Sequence, residues 1–256
     1  MRKVALITGS TSGIGKAIAT SFAAAGYNIM FHGLEKEGPE IADKLGGEHE
    51  VKTAFSNANL LEPQAIMDLV DETLGLFGRI DVLINNAGIQ YVSKVEDFPL
   101  EKWNAIIAIN MTAAFVASKA AWPSMKKNGF GRIINVSSVH GLRASEFKSA
   151  YVTAKHGVIG LTKVLGLEGA GHNITCNAIC PGYVKTPLVE GQIKDQAKAH
   201  QLSEEDVVKQ VMLKKQAVKE FIPEQKIVEM ALLLAKEDAS ALTGGSYVLD
   251  GGWTAQ

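Results

Sequence analysis

Thr8-Gly9-Ser10-Thr11-Ser12-Gly13-Ile14-Gly15 follows the apolar run Val4 to Ile7 and precedes a stretch of helical composition. Glycines spaced G-x-x-x-G-x-G at such a junction suit one chemistry, the cradling of a pyrophosphate. They let backbone approach an anion at a helix N-terminus, whose free N–H groups favour negative charge. Thr11 and Ser12 add hydroxyl donors. The spacing departs from the commoner G-x-G-x-x-G of dinucleotide sites, but the physics is similar. Gly9, Thr11, Ser12, Gly13, Ile14 and Gly15 are therefore candidate cofactor-binding residues.

A dinucleotide site of this kind also wants an acidic residue closing the second strand, to hold the adenosine ribose. Here that strand ends His32-Gly33-Leu34-Glu35-Lys36, so Leu34 occupies the acidic position and Glu35 comes one residue later. Glu35 reads as a ribose acceptor or, better supported by its Glu-Lys-Glu-Gly setting, as a solvated loop carboxylate. Ser12 stands where a basic residue would help a 2′-phosphate, no arginine is nearby, and Lys36 is the one local cation. NAD is favoured over NADP.

The elements that must position these residues alternate along the chain. Val4–Thr8, Asn28–His32, Val51–Ser56, Val82–Asn85, Arg132–Ser137, Thr175–Cys180 and Ser246–Leu249 read as strands, several almost wholly apolar. Such strands are covered on both faces. Between them Ile14–Ala25, Pro39–Lys44, Pro63–Leu76, Leu100–Lys127, Ala150–Glu168 and Pro223–Lys236 have helical spacing or composition. The alternation predicts an α/β fold, a Rossmann-type doubly wound parallel sheet of about seven strands with helices on both faces. Ligands then bind beyond the carboxyl ends of the strands. With no repeat or linker to divide it, the chain reads as one domain over 1–256. The polar stretch 188–221 interrupts the alternation, as a substrate lid or as a solvated helix pair.

The whole chain has 256 residues, 26 Lys+Arg against 27 Asp+Glu and a net charge of −1. It offers no basic excess for nucleic acid, and its apolar content of 46% argues against disorder. Val4 to Ile7 is too short for a signal peptide, and no later segment reaches about 18 uninterrupted apolar residues. Neither a membrane nor a nucleic-acid partner is expected, and the reading is cytoplasmic. Cys176 and Cys180 read as core thiols. His32, His49, His156, His172 and His200 lack ligand spacing, so no metal site is expected.

Three further motifs extend the pattern. Asn85-Asn86-Ala87-Gly88 follows the fourth strand, Ser137-Ser138 and then Tyr151-Val152-Thr153-Ala154-Lys155 follow the fifth, and Pro181-Gly182 follows the sixth. With the glycine turn and Asn110, they resemble the short-chain dehydrogenase/reductase family in order and spacing over the whole chain. The resemblance implies a catalytic tetrad of Asn110, Ser138, Tyr151 and Lys155. Tyr151 and Lys155 are four apart, hence on one helical face, and an ammonium beside a phenol should bring Tyr151 below a pKa of about 10. Ser138 would hydrogen-bond the substrate oxygen, and Asn110 would help tie Lys155 to solvent through a water relay. Hydride transfer is then the chemistry of NAD, positioned by the protein. The resemblance also implies cofactor contacts from Leu34, Asn59, Leu60, Asn86, Ala87, Gly88, Tyr151, Lys155, Pro181, Gly182, Val184 and Thr186. Asn59 stands where an aspartate normally reaches the adenine amino group; its amide oxygen can accept the same bond.

Around the tetrad, Gln90, His140, Lys148 and Gln192 supply a cation and hydrogen-bond donors that suit a small carboxylate. Singly, Lys148 reads as a loop lysine and Gln192 as surface. Together they resemble the branch of the family that acts on D-3-hydroxybutyrate, in which the matching side chains bind the substrate carboxylate. There a tail like Asp250-Gly251-Gly252-Trp253-Thr254-Ala255-Gln256 packs near the site. Tyr183 departs from that branch, where tryptophan is common, and Lys185 replaces an apolar residue. The resemblance implies a small 3-hydroxy acid substrate, with (R)-3-hydroxybutyrate reversibly oxidised to acetoacetate by NAD. Trp253 and Tyr183 would wall the methyl end. It also implies a homotetramer, built on the apolar faces of Leu100–Lys127 and Ala150–Gly166. A 3-oxoacyl-thioester or sugar reductase, and a non-catalytic dinucleotide-binding module, are the alternatives.

Overall fold

A computed structural model describes residues 2–187, 189–191, 193, 197 and 201–255. β1 (Val4–Ile7), β2 (Asn28–His32), β3 (Thr53–Ser56), β4 (Val82–Asn85), β5 (Gly131–Val136), β6 (Ile174–Pro181) and β7 (Ser246–Leu249) form one parallel sheet in the order β3-β2-β1-β4-β5-β6-β7. Successive strand residues point to opposite faces, which is why nearly every residue here is apolar. Ala5, Ile7, Ile29, Phe31, Val82, Ile84 and Ile134 pack beneath α1 (Gly13–Ala24) and a C-terminal helix, Glu224–Leu234. Their neighbours Leu6, Met30, Leu83 and Ile133 pack on the other side, among α3 (Pro63–Phe77), α5 (Ala113–Asn128) and α6 (Ser149–Gly169).

Most bounds shift by one or two residues, and two elements differ more from the sequence expectation. α2 runs Gly38–His49, well past Lys44, because the helix-weakening pair Gly46-Gly47 is tolerated. A Cβ on Gly46 would press on the Thr53 side chain at 2.6 Å, so the helix needs a glycine to lie on β3. The stretch Leu100–Asn128 is α4 (Leu100–Ile107) and α5, joined by a wider turn of π-helix over Ala108–Thr112. By length and composition this run is apolar enough to cross a bilayer. Here Ala113, Ala117, Ala121 and Met125 are buried against the sheet and α3.

The strand order reverses between β1 and β4, so the loops leaving their carboxyl ends diverge and open a crevice. The described part of the 188–221 stretch is not merely polar. Val189, Ile193, Val207 and Met212 make a small apolar cluster with Tyr183, Leu202 and Phe221 packed on it.

Candidate active site

A cleft of about 370 Å³ lies over this crevice, lined by the loops that follow β1, β2, β3, β4, β5 and β6. Gly9 and Gly13 bend the first loop, with φ of +63° and +50°, a region that side chains with a Cβ resist. Asn86 holds the turn from β4: its Nδ2 donates to the carbonyls of Thr8 and Gly9, both at 3.0 Å. Thr8 Oγ1 returns the tie, accepting from the backbone N–H of Asn86 at 3.0 Å and of Ala87 at 3.1 Å. Gly9, Thr11, Ser12, Gly13 and Ile14 all line the cleft. Gly15 does not; it lies behind the turn, where a Cβ would be driven into the Gly9 carbonyl. What the structure shows of it is close packing against the first turn.

Leu34, Asn59, Leu60, Asn86, Ala87, Gly88, Pro181, Gly182, Val184 and Thr186 line the same cleft. The Asn59 amide oxygen already accepts from the Leu61 N–H at 3.1 Å, an Asx-type bond that orients it within its own loop. Glu35 is exposed, as a solvated loop carboxylate would be, but it is not idle. Its carboxylate turns back into the cleft, accepting from the Thr11 hydroxyl and from the Leu34 N–H at 3.0 Å. Burial opposes its ionisation, but the Thr11 hydroxyl and the neighbouring backbone N–H groups outweigh that and hold the carboxyl below its usual value.

At the inner end stand Ser138, Tyr151 and Lys155. Lys155 Nζ donates to the Val136 carbonyl at 2.7 Å and lies 5.6 Å from the Tyr151 ring centroid. Burial pulls its pKa down to about 8. The expected lowering of Tyr151 is not found in the protein's own groups. Burial pushes the phenol up, opposed only by a Ser138 hydrogen bond, because the ammonium is held on a carbonyl rather than on the phenol oxygen. Asn110 lies in the π-helical turn, its Oδ1 accepting from the Ile89 N–H and its Nδ2 donating to the Ile89 carbonyl, both at 2.9 Å. It lines, with Lys155, a small cavity of about 10 Å³ behind the cleft, the size of one water.

A second pocket of about 60 Å³ adjoins the first and is lined by Gln90, Ser138, His140, Lys148, Tyr151, Tyr183 and Trp253, with Val139, Gly182 and Val189 completing it. Gln192 lies outside the described residues. Tyr183 stacks on Trp253 at 5.7 Å, and His140 meets the edges of Trp253 and Tyr151 at 5.4 and 5.9 Å. Burial, then Lys148 and Lys215, push His140 down to about 3, so the imidazole is neutral. Burial and Lys215 pull Lys148 down to about 8. Among the described residues no carboxylate lines this pocket, and an anion there would favour the charged forms of Lys148 and His140 that burial now opposes.

Sequence reasoning missed the supports. Gln216, fully buried, accepts from the Tyr183 N–H at 3.3 Å and donates to the carbonyls of Val218 and Glu220. Asp250 caps the tail through the N–H groups of Gly252 and Thr254 at 2.9 and 2.7 Å, which sets Trp253 in place. Lys215 lies 5.7 Å over the Trp253 ring. The Asp-Gly-Gly signal for the tail turn was available; nothing local in Lys215-Gln216 announced its partners.

Residues 3–197 match the short chain dehydrogenase family. The chain belongs to the short-chain dehydrogenases. It is 50% identical to a D-beta-hydroxybutyrate dehydrogenase of Rhizobium meliloti (strain 1021), over 100% of both chains. It is 44% identical to a D-beta-hydroxybutyrate dehydrogenase of Cupriavidus necator, covering 99% of this chain and 98% of the relative. Among solved structures it is similar to an actinorhodin polyketide ketoreductase with NADPH, at 29% identity and a TM-score of 0.93, covering 100% of this chain and 98% of that one. Short-chain dehydrogenases use a nicotinamide dinucleotide, and this cleft fits one. Its Gly9–Gly13 cradle is a place that any Cβ would fill or strain, and the start of α1 turns free N–H groups towards it.

Proposed function

We propose that this short-chain dehydrogenase oxidises (R)-3-hydroxybutyrate to acetoacetate, reversibly, with NAD. One observation carries the reading. Five side chains expected to contact substrate, Gln90, His140, Lys148, Tyr183 and Trp253, share a single pocket with Ser138 and Tyr151, next to the dinucleotide cleft and without a carboxylate among its described lining residues. The two D-beta-hydroxybutyrate dehydrogenases similar over their full length support it. Glu35 favours NAD over NADP, because an ionised carboxylate in the adenosine end of the cleft repels a 2′-phosphate.

In this reading Lys148 pairs with the substrate carboxylate and His140, neutral, hydrogen-bonds it. Ser138 and Tyr151 then face the secondary hydroxyl. Once its own phenol proton has been released, Tyr151 takes the hydroxyl proton as general base from its phenolate form, and Ser138 steadies the oxygen as charge develops. Lys155 keeps a positive charge behind the phenol, and Asn110 holds the one-water cavity beside Lys155 through which the proton leaves. The nicotinamide, when bound, accepts the hydride. Val189 lines both pockets, which supports reading the 188–221 stretch as a lid on one domain. Exposed Phe115, Val164 and Leu167 on α5 and α6 suit the faces of a homotetramer.

The test is NADH formation from NAD with (R)-3-hydroxybutyrate, its S enantiomer and a hexose. Turnover of the R acid alone is expected; none with the R acid overturns the proposal.

A further inference from the structure

Tyr183 stands where an apolar wall of the methyl end was expected, yet its hydroxyl points elsewhere. Lys148 Nζ donates to it at 3.3 Å, and the same ammonium lies 5.5 Å from the ring centroid. The ring face is spent on Trp253, stacked at 5.7 Å and 29°, so the ring cannot swing without breaking that pair. Its backbone is pinned as well, the N–H donating to Gln216 and the carbonyl accepting from Ile222 at 2.8 Å. The hydroxyl is thus fixed beside the pocket's cation, with Gln90, His140 and Tyr151 on the remaining walls.

From this geometry we infer that Tyr183 and Lys148 form a two-point clamp for the substrate carboxylate, in which the Tyr183 hydroxyl donates to one carboxylate oxygen while Lys148 holds the other. The inference rests on the hydroxy-acid reading above and assigns Tyr183 to the carboxylate end, not the methyl end. A phenol that accepts from an ammonium still has its own proton to give, and the ammonium polarises it into a stronger donor. Burial keeps the phenol protonated, its pKa pushed up to about 12. A phenylalanine here would keep a ring for Trp253 and lose the donor, and a tryptophan's one donor, its indole N–H, sits at a different place on the ring from the phenol hydroxyl. The ligand of the clamp is a planar monocarboxylate, read by a charge and a donor side by side.

The experiment compares Tyr183→Phe and Tyr183→Trp with the wild type, on (R)-3-hydroxybutyrate and on its methyl ester. Both variants should raise KM for the acid about tenfold, the size of one hydrogen bond to a charged group. The rise for the ester should be much smaller than for the acid, and the affinity for NADH by fluorescence titration checks that the cofactor cleft, which Tyr183 does not line, is intact. An unchanged acid KM overturns the clamp, and so does a rise shared equally by the ester, which marks lost packing. Two variants of different bulk guard against a packing failure in one of them. If the wild type oxidises neither compound, the hydroxy-acid function falls and the clamp with it; if it oxidises the acid while the variants match it, the clamp alone falls.

Discussion

The backbone N–H of Gly9 donates to Nδ1 of His32 at 3.1 Å. The other ring nitrogen, Nε2, lies 2.9 Å from the Ala58 carbonyl, so the ring must carry its proton there. One buried imidazole therefore joins the phosphate turn after β1 to the loop after β3 that lines the adenosine end of the cleft. Burial holds its pKa below the usual histidine range, in keeping with a neutral acceptor for Gly9. His32→Leu leaves the Gly9 N–H without its partner and frees Ala58. The expected outcome is an NADH affinity weakened about tenfold, with kcat at saturating cofactor little changed. Fluorescence titration of NADH checks it, and an affinity equal to wild type would remove His32 from the cofactor site.

Tyr151→Phe removes the one hydroxyl able to take the substrate proton while keeping the ring that packs on His140. Turnover should fall by at least about a thousandfold, within the range for loss of a general base. NADH binding should persist. Retention of a tenth of wild-type activity would move the base elsewhere.

The pH dependence follows from Lys148 and His140. Burial and Lys215 set Lys148 near 8 in the free protein, so its ammonium is lost as the pH rises through that value. KM for the hydroxy acid should climb above about pH 8, and a bound carboxylate moves the loss higher in the complex. Lys155, also near 8 through burial, titrates in the same range but acts on kcat, and Lys148→Met should flatten only the KM limb. His140 stays neutral above about pH 4 because burial, Lys148 and Lys215 hold it near 3. No limb near pH 6.5 is expected; one that disappears in His140→Gln would contradict this.

The elements that carry the chemistry were legible because their signals are local. Asn28–His32, Val82–Asn85 and Ser246–Leu249 are strands over the very residues expected, since an apolar run between turn residues has few other solutions. The pocket residues were found through motif positions, not through any local property of Gln90 or Lys148. What stayed hidden were relations between distant segments: His32 with Gly9 and Ala58, Gln216 with Tyr183, and Lys155 with the Val136 carbonyl in place of the phenol. Those depend on register and loop path, and a spacing rule such as Tyr-x-x-x-Lys gives a shared face but not the partner of the ammonium.

Glu35 offers the sharpest test of how such a relation alters function. Position 34, where an acidic residue was expected, holds an exposed leucine, yet a carboxylate still reaches the cleft because Thr11, on the neighbouring loop after β1, binds it. Glu35→Gln keeps a partner for the Thr11 hydroxyl and the length of the side chain but removes the charge. The repulsion of a 2′-phosphate goes with it, a matter of about 1 kcal/mol for charges this close to solvent. The ratio of kcat/KM for NAD to that for NADP should therefore fall about fivefold to tenfold, mostly by a gain with NADP. Steady-state kinetics with both cofactors measures it. An unchanged ratio would leave Glu35 as a brace for Thr11 and put the choice of cofactor elsewhere in the cleft.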